Sequence, residues 1–309
     1  DDVESRGLGD VYKRQILDGC YNAGTISVPG GDGVGGIIGC ITGNRASPVI
    51  IRNCMNKGTV EGQSVVSGII GTAGTGGIRA SGCWNAGTVS ASIGSYGAAS
   101  IIFGYSGGAD DIRDCLVDET HKYGDIGNCL TVKPEALGTW GAAWWLNGGS
   151  LKQSTGLSWT YDKDSAYPVL SATGLSSAES WEQIGEALEY GLLKDMETPA
   201  GDGNTDPYQI QTAEQLAWFA RKVNVEHISS SNQNIKLAKD INLFGEKYTG
   251  YTGEKNLANI ENALKWSPIG NYSYPYQGTF HGGKTEIDGM YLNGGSYLGP
   301  VSYTHLTLP

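Results

Sequence analysis

Basic residues are scarce: 21 Lys and Arg against 32 Asp and Glu leave a net charge of −11 over 309 residues. Nucleic acid is thereby excluded as a partner, because neutralising phosphates takes a basic surface, and anionic lipid is disfavoured for the same reason. Proline is sparse, at 10 residues, and glycine does not recur at every third position, so a collagen-like chain is excluded. Charged residues make up 17% and form no heptads, which excludes a coiled coil. No run of about 18 apolar residues reads as a membrane span, and no N-terminal stretch has the zones of a signal peptide. There is no CxxC or histidine cluster for zinc. Outside the C-terminal segment the histidines are His121, His227 and His281, far apart and without a nucleophile elbow.

What is abundant is glycine, with 48 residues, about twice the usual ~7%. Eight Trp, seventeen Tyr and 39% hydrophobic residues exclude a disordered chain. The composition is that of a turn-rich, mainly β protein.

A repeat organises the first half. Cys20-Tyr21-Asn22-Ala23-Gly24-Thr25-Ile26 returns as Cys54-Met55-Asn56-Lys57-Gly58-Thr59-Val60 and as Cys83-Trp84-Asn85-Ala86-Gly87-Thr88-Val89. A degenerate fourth copy is Ile112-Arg113-Asp114-Cys115-Leu116-Val117. The four cysteines lie 34, 29 and 32 residues apart. Between copies a second element recurs: Gly35-Gly36-Ile37-Ile38-Gly39, Ser67-Gly68-Ile69-Ile70-Gly71 and Ser100-Ile101-Ile102-Phe103-Gly104. A period near 30, built from short β-branched runs and glycine turns, predicts a parallel β-helix with two or three short strands per coil, each coil covering the exposed edge of the last.

Stacking puts equivalent residues into ladders. Ile and Val positions form the interior. Asn22, Asn56 and Asn85 occupy one turn, each bonding to nearby backbone or to the next Asn. Gly24, Gly58 and Gly87 are expected there with positive φ. Cys20, Cys54, Cys83 and Cys115 read as an interior ladder of free thiols; neighbours ~4.8 Å apart also lie within reach of disulfide geometry.

With these elements in view, the CxNxG and GGI(I/V)G motifs resemble the GLUG-repeat family of bacterial surface proteins. The resemblance is clear over 16–116 and looser through Leu170, where Trp159 and Tyr167-Pro168-Val169-Leu170 look like the family's closing segment. It implies right-handed β-helical arrays on secreted or wall-attached proteins. The stretches Ser5–Gln15 and Val301–Pro309 resemble translated sequencing adapter at the edges of a metagenomic reading frame, and 1–15 and 301–309 are read as non-native tags.

The second half changes character. Trp181, Ile184, Leu188 and Leu192 fall at helical spacing through Ser180–Lys194, with Gly191 marking the end. A linker follows at Pro199–Gly203, then a capping box of Thr212 and Gln215 opens a helix with a Leu216, Phe219, Ala220, Val223 stripe. Strands are expected at Ile235–Leu237 and Ile241–Leu243. Gly201–Ile210, Thr212–Leu216, Trp266–Gly270 and Tyr276–Phe280 resemble the lead-in to a GLUG array, although His281-Gly282-Gly283-Lys284 replaces the family's Asp-Gly-Asn-Gly-His turn. The expected organisation is 16–172 as the end of one array, 173–202 as helical segment and linker, and 203–300 as the cap helix and first coil of another.

Candidate chemistry is thin. Gly31–Gly36 matches GxGxxG but sits within a β repeat, so it reads as a turn, and Gly35 stands where a calcium-binding nonapeptide needs Asp. Asp202, Asn204 and Asp206 alternate like an EF-hand start, yet Pro207 and Ala213 occupy its glycine and glutamate positions; an Asx turn is the competing reading. Asp110, Asp111, Asp114, Asp118 and Glu119 either form a solvated edge or, with Arg113 and Lys122, serve a glycoside hydrolase or polysaccharide lyase. Trp140, Trp144 and Trp145 either stack on sugar rings or close the end of a core. The expectation is a non-catalytic extracellular stalk or adhesive array for glycans or surface proteins, without metal or cofactor. The alternatives are a carbohydrate-active enzyme and the repeat region of a larger surface protease.

Overall fold

The computed structural model describes residues 15–41, 48–73, 78–93, 103–106, 111–121, 129–151, 156–172, 177–250, 263–296 and 298–302. The chain is mainly β, with many short parallel strands stacked in sheets and a few helices. It divides into two compact units: 1–138, 142–149 and 153–175 form the first, and 139–141, 150–152 and 176–309 the second.

In the first unit, the first three repeat copies break into more strands than their period suggests. The first copy holds β1 (Ile16–Asp18), β2 (Tyr21–Asn22), β3 (Thr25–Ser27), β4 (Asp32–Gly35) and β5 (Ile38–Ile41). The second holds β6 (Val49–Arg52), β7 (Met55–Asn56), β8 (Thr59–Gly62), β9 (Ser64–Ser67) and β10 (Ile70–Ala73). The third gives β11 (Ile78–Ser81), β12 (Trp84–Asn85), β13 (Val89–Ala91) and β14 (Phe103–Ser106), and the fourth β15 (Asp111–Arg113) and β16 (Leu116–Asp118). Five strands in each of the first two copies and four in the third, rather than two or three, go with sharp bends between them.

One bend falls immediately before every repeat cysteine, where Gly19, Asn53, Gly82 and Asp114 have φ of 71°, 55°, 61° and 58°. Gly, Asn and Asp are the residues that enter this left-handed region at least cost. The expected positive φ at Gly24, Gly58 and Gly87 is not found. Those glycines answer a different demand. A Cβ on Gly58 would lie 1.9 Å from the Gly24 carbonyl oxygen, and one on Gly87 2.1 Å from that of Gly58.

Equivalent strands pair in parallel and in repeat register, in sheets ordered β1-β6-β11-β15, β3-β8-β13 and β5-β10-β14. Ile16 faces Ile50, Ile26 faces Val60, Val60 faces Val89, and Ile70 lies between Ile38 and Phe103. The degenerate fourth copy still pairs, with Ala80 opposite Ile112 and Trp84 opposite Leu116. A further strand, β17 (Leu130–Val132), extends the β2-β7-β12-β16 sheet. The interior is apolar: Ile51, Cys54, Ile69, Cys83, Cys115 and Val117 are fully buried. A smaller core gathers Val34, Val60, Val66 and Val89.

Gly31–Gly36 contributes strand β4, not a turn, and β4 pairs in parallel with β9. Its glycines allow backbones of consecutive copies to touch: a Cβ on Gly36 would stand 2.1 Å from the Gly68 carbonyl oxygen. Two short helices follow the repeats, α1 (Pro134–Leu137) and α2 (Trp140–Leu146). The antiparallel pair β18 (Ser158–Thr160) and β19 (Val169–Ser171) brings Trp159 against Trp84, edge to face at 5.9 Å, while Tyr167 stacks on Trp84 at 5.1 Å. Trp159 Nε1 donates to the Gly82 carbonyl at 2.7 Å, tying the hairpin to a left-handed bend.

The second unit is built on α3 (Trp181–Glu189) and α4 (Ala213–Asn224), which pack at Gly185, where a Cβ would meet the Ala217 carbonyl at 2.6 Å. The first helix ends earlier than Lys194 because Gly191, at φ 69°, turns the chain away. The predicted capping box forms with a shift of one residue: Gln215 N–H donates to Thr212 Oγ1, and Gln215 Oε1 accepts from Gln211 N–H. An ion network of Arg221 and Lys222 with Glu186, Glu189 and Glu226 runs along the helix pair. Beside α4, β20 (Tyr208–Ile210), β21 (Ile235–Leu237) and, beyond β22 (Ile241–Asn242) and the short α5 (Glu246–Thr249), β23 (Phe280–His281) form a parallel sheet. β22 likewise pairs with β24 (Ile287–Asp288). Val301, within the tag-like C-terminal stretch, makes a parallel bridge with Ile269.

Candidate functional site

The most ordered polar feature is the asparagine ladder. Parallel pairing sets Asn22, Asn56 and Asn85 directly above one another. Asn22 Nδ2 donates to Asn56 Oδ1 at 2.8 Å, and Asn56 Nδ2 donates to Asn85 Oδ1 at 2.7 Å. Each amide also binds its own turn: the Gly24 and Gly58 N–H groups donate to Asn22 Oδ1 and Asn56 Oδ1, and Asn56 and Asn85 Nδ2 donate to the Gly58 and Gly87 carbonyls. Asn56 and Asn85 are completely buried. A buried amide is tolerated only when its donors and acceptors are met, and here the copies above and below meet them. The ladder stops at Val117, which pairs with Asn85.

The thiols form a parallel ladder on the neighbouring position. All six cysteines are free; Cys54, Cys83, Cys115 and Cys129 are buried, Cys20 is half-buried and Cys40 is exposed. Cys54, Cys83 and Cys115 donate to the carbonyls of Arg52, Ser81 and Arg113. The thiol one copy on, together with burial, pushes Cys54 well above the ordinary thiol range, and Cys83 and Cys115 are raised in the same way. Cys129 joins as a fifth member just 14 residues after Cys115, since the Leu130 N–H donates to the Cys115 carbonyl as Leu116 does to Cys83. Its short spacing hid it from the repeat pattern.

The tryptophans occupy other surroundings than a sugar platform needs. Trp140 is 1% and Trp144 2% exposed, and Trp145 is half-buried. Trp140 meets Tyr248 edge to face at 5.8 Å. Of the two alternatives, sugar stacking is corrected for Trp140 and Trp144: their buried indoles fill core, as the other reading expected, and a Cβ on Gly141 would lie 2.7 Å from that of Ala187. The acidic residues stand in different settings. Asp118 is 6% exposed and its Oδ1 accepts both the N–H and the hydroxyl of Thr120, Asp114 occupies a left-handed bend, and Asp111 is exposed. Asp110 and Lys122 lie outside the described residues.

Asp202 makes the Asx turn: its Oδ1 accepts from Asn204 and Asp206 N–H at 2.7 and 2.9 Å, and Thr205 Oγ1 donates to Oδ2. These bonds, Asp206 first, lower the Asp202 carboxyl to about 2. Among the described residues there is no group of three or more His, Cys, Asp or Glu side chains placed to hold a metal ion, and no helix long and apolar enough to cross a membrane. Comparison with protein-family models, curated proteins and solved structures gives no match.

Proposed function

We propose that this chain is part of a non-catalytic bacterial cell-surface or secreted protein, in which GLUG-type repeats wind a right-handed parallel β-helix into a stiff array for display and adhesion. The observation that carries this reading is the bonded ladder of Asn22, Asn56 and Asn85 within sheets whose partners are one repeat apart. Continuous pairing across copies resists bending and shear, which suits a spacer that presents a binding surface away from a cell. The second unit supports the same reading, since helix α4 follows the first strand of a parallel β20-β21-β23 sheet, as a cap helix would at the opening of a new array. The ligands proposed are host or microbial glycans or surface proteins.

Antibody against this chain, applied to intact and to permeabilised cells carrying the complete gene, tests the location. Equal staining of both supports the proposal; staining only after permeabilisation overturns it.

A further inference from the structure

Helix α4 runs into a loop that shapes a polar hollow of about 260 Å³ on the second unit. We propose that this hollow is a binding site for a neutral saccharide, with the Tyr274 and His227 rings as its platform. The inference deepens the adhesive reading above and rests on it for its ligand class.

The hollow is built and held open by specific bonds. Gln233, 5% exposed, donates from Nε2 to the Ile228 carbonyl and accepts at Oε1 from the Gln277 N–H, so one buried amide joins two walls. Asn271 Oδ1 accepts from the Ser273 and Tyr274 N–H groups and fixes the turn that carries the tyrosine. His227 has φ 55°, in the left-handed region that non-glycine residues enter at a cost. That conformation places its imidazole flat on Tyr274, with ring centroids 3.4 Å apart and planes 13° from parallel. Tyr274 remains 44% exposed.

The lining chooses the ligand. It includes no Asp, Glu, Lys or Arg, so nothing there complements a phosphate, a uronate or an ammonium group. The hydroxyls of Ser230 and Ser273 and the Gln277 amide offer donors and acceptors around the aromatic pair. A pyranose matches this combination, with an apolar C–H face for a ring and hydroxyls for the rim. The volume lies just below the ~300–1,000 Å³ of drug-sized pockets, so a short segment of a glycan fits and a folded domain does not.

Isothermal titration of the full chain with a panel of neutral oligosaccharides (β-glucan, xylan, mannan and galactan fragments), and with oligogalacturonate, tests the site. Tyr274→Ala is expected to weaken the best neutral ligand about tenfold or more. Tyr274→Phe keeps the ring and retains binding. His227→Asn tolerates the left-handed backbone, so its loss of binding reports the imidazole rather than misfolding; circular dichroism checks each variant. Neutral sugars bound by the native chain but undiminished in both Tyr274→Ala and His227→Asn would reject this hollow while leaving the adhesive array intact. Preference for oligogalacturonate would overturn the neutral-ligand assignment. If no oligosaccharide binds, both the site and the glycan part of the adhesive reading fail, and cell staining alone decides the location.

Discussion

Replacing Asn56 with alanine removes the centre of the amide ladder. Its side chain takes part in four hydrogen bonds, to Asn22, Asn85, and the N–H and carbonyl of Gly58, and is completely buried. At ~0.5–1.5 kcal/mol net for each, with buried partners left unmet, the loss comes to about 4 kcal/mol. Asn22 is half-buried at the edge of the stack and keeps only two such bonds, so Asn22→Ala should cost about 1 kcal/mol. For a unit of this size, 1 kcal/mol shifts Tm by ~2–4 °C, so calorimetry should show a fall of about 8–16 °C for Asn56→Ala and about 2–4 °C for Asn22→Ala. Equal shifts for the two variants would refute the ladder, because it places Asn56 buried between two amide neighbours and Asn22 at the edge with one.

The glycines predict a second asymmetry: Gly58→Ala and Gly87→Ala should be severely destabilising, whereas Gly24→Ala, whose Cβ would meet nothing closer than Asn22 Oδ1 at 3.8 Å, should be tolerated in thermal melts. Thiol titration should find Cys40 reactive in the native protein and Cys54, Cys83, Cys115 and Cys129 reactive only in denaturant; fast modification of the buried four would contradict their packing. Val65 has φ 52° at the position equivalent to Gly33 (φ 68°), so Val65→Gly should raise stability by about 1 kcal/mol in chemical denaturation, and destabilisation would show that its half-buried side chain matters more. Because the folded Asp202 carboxyl is lowered to about 2, its contribution is present above the usual carboxylate range near 4 and is lost as pH falls through about 2. A carboxyl shift in an NMR titration with its midpoint near 4 would remove the Asx-turn bonds from the account.

Much of this architecture was legible because stacking forces like residues into like places. The recurrence of Asn two residues after Cys marked both ladders, and Ile37-Ile38 and Ile69-Ile70 marked the interior. What escaped was backbone geometry. The left-handed bend falls on Gly19, Asn53, Gly82 and Asp114, a position that varies in identity yet always offers a residue tolerant of positive φ. Gly24, Gly58 and Gly87 looked like turn glycines, but their constraint comes from the neighbouring copy, which no local pattern reveals. For Trp140 and Trp144 the sequence left sugar stacking and core closure both open, and only their burial decides for the core. The aromatic pair that does meet solvent, His227 and Tyr274, is joined across 47 residues and has no sequence signature beyond an isolated histidine after a helix.

The central claim is that successive copies pair backbone to backbone in register. Residue-resolved hydrogen exchange tests it most directly at Met55, Trp84, Leu116 and Leu130, whose N–H groups donate to the carbonyls of Cys20, Cys54, Cys83 and Cys115. The account predicts that the Trp84 and Leu116 amides are protected to nearly the global unfolding free energy, with Met55 and Leu130, whose bonds join the two terminal strands of the sheet, somewhat weaker. Rapid exchange at Trp84 and Leu116 under native conditions would contradict it.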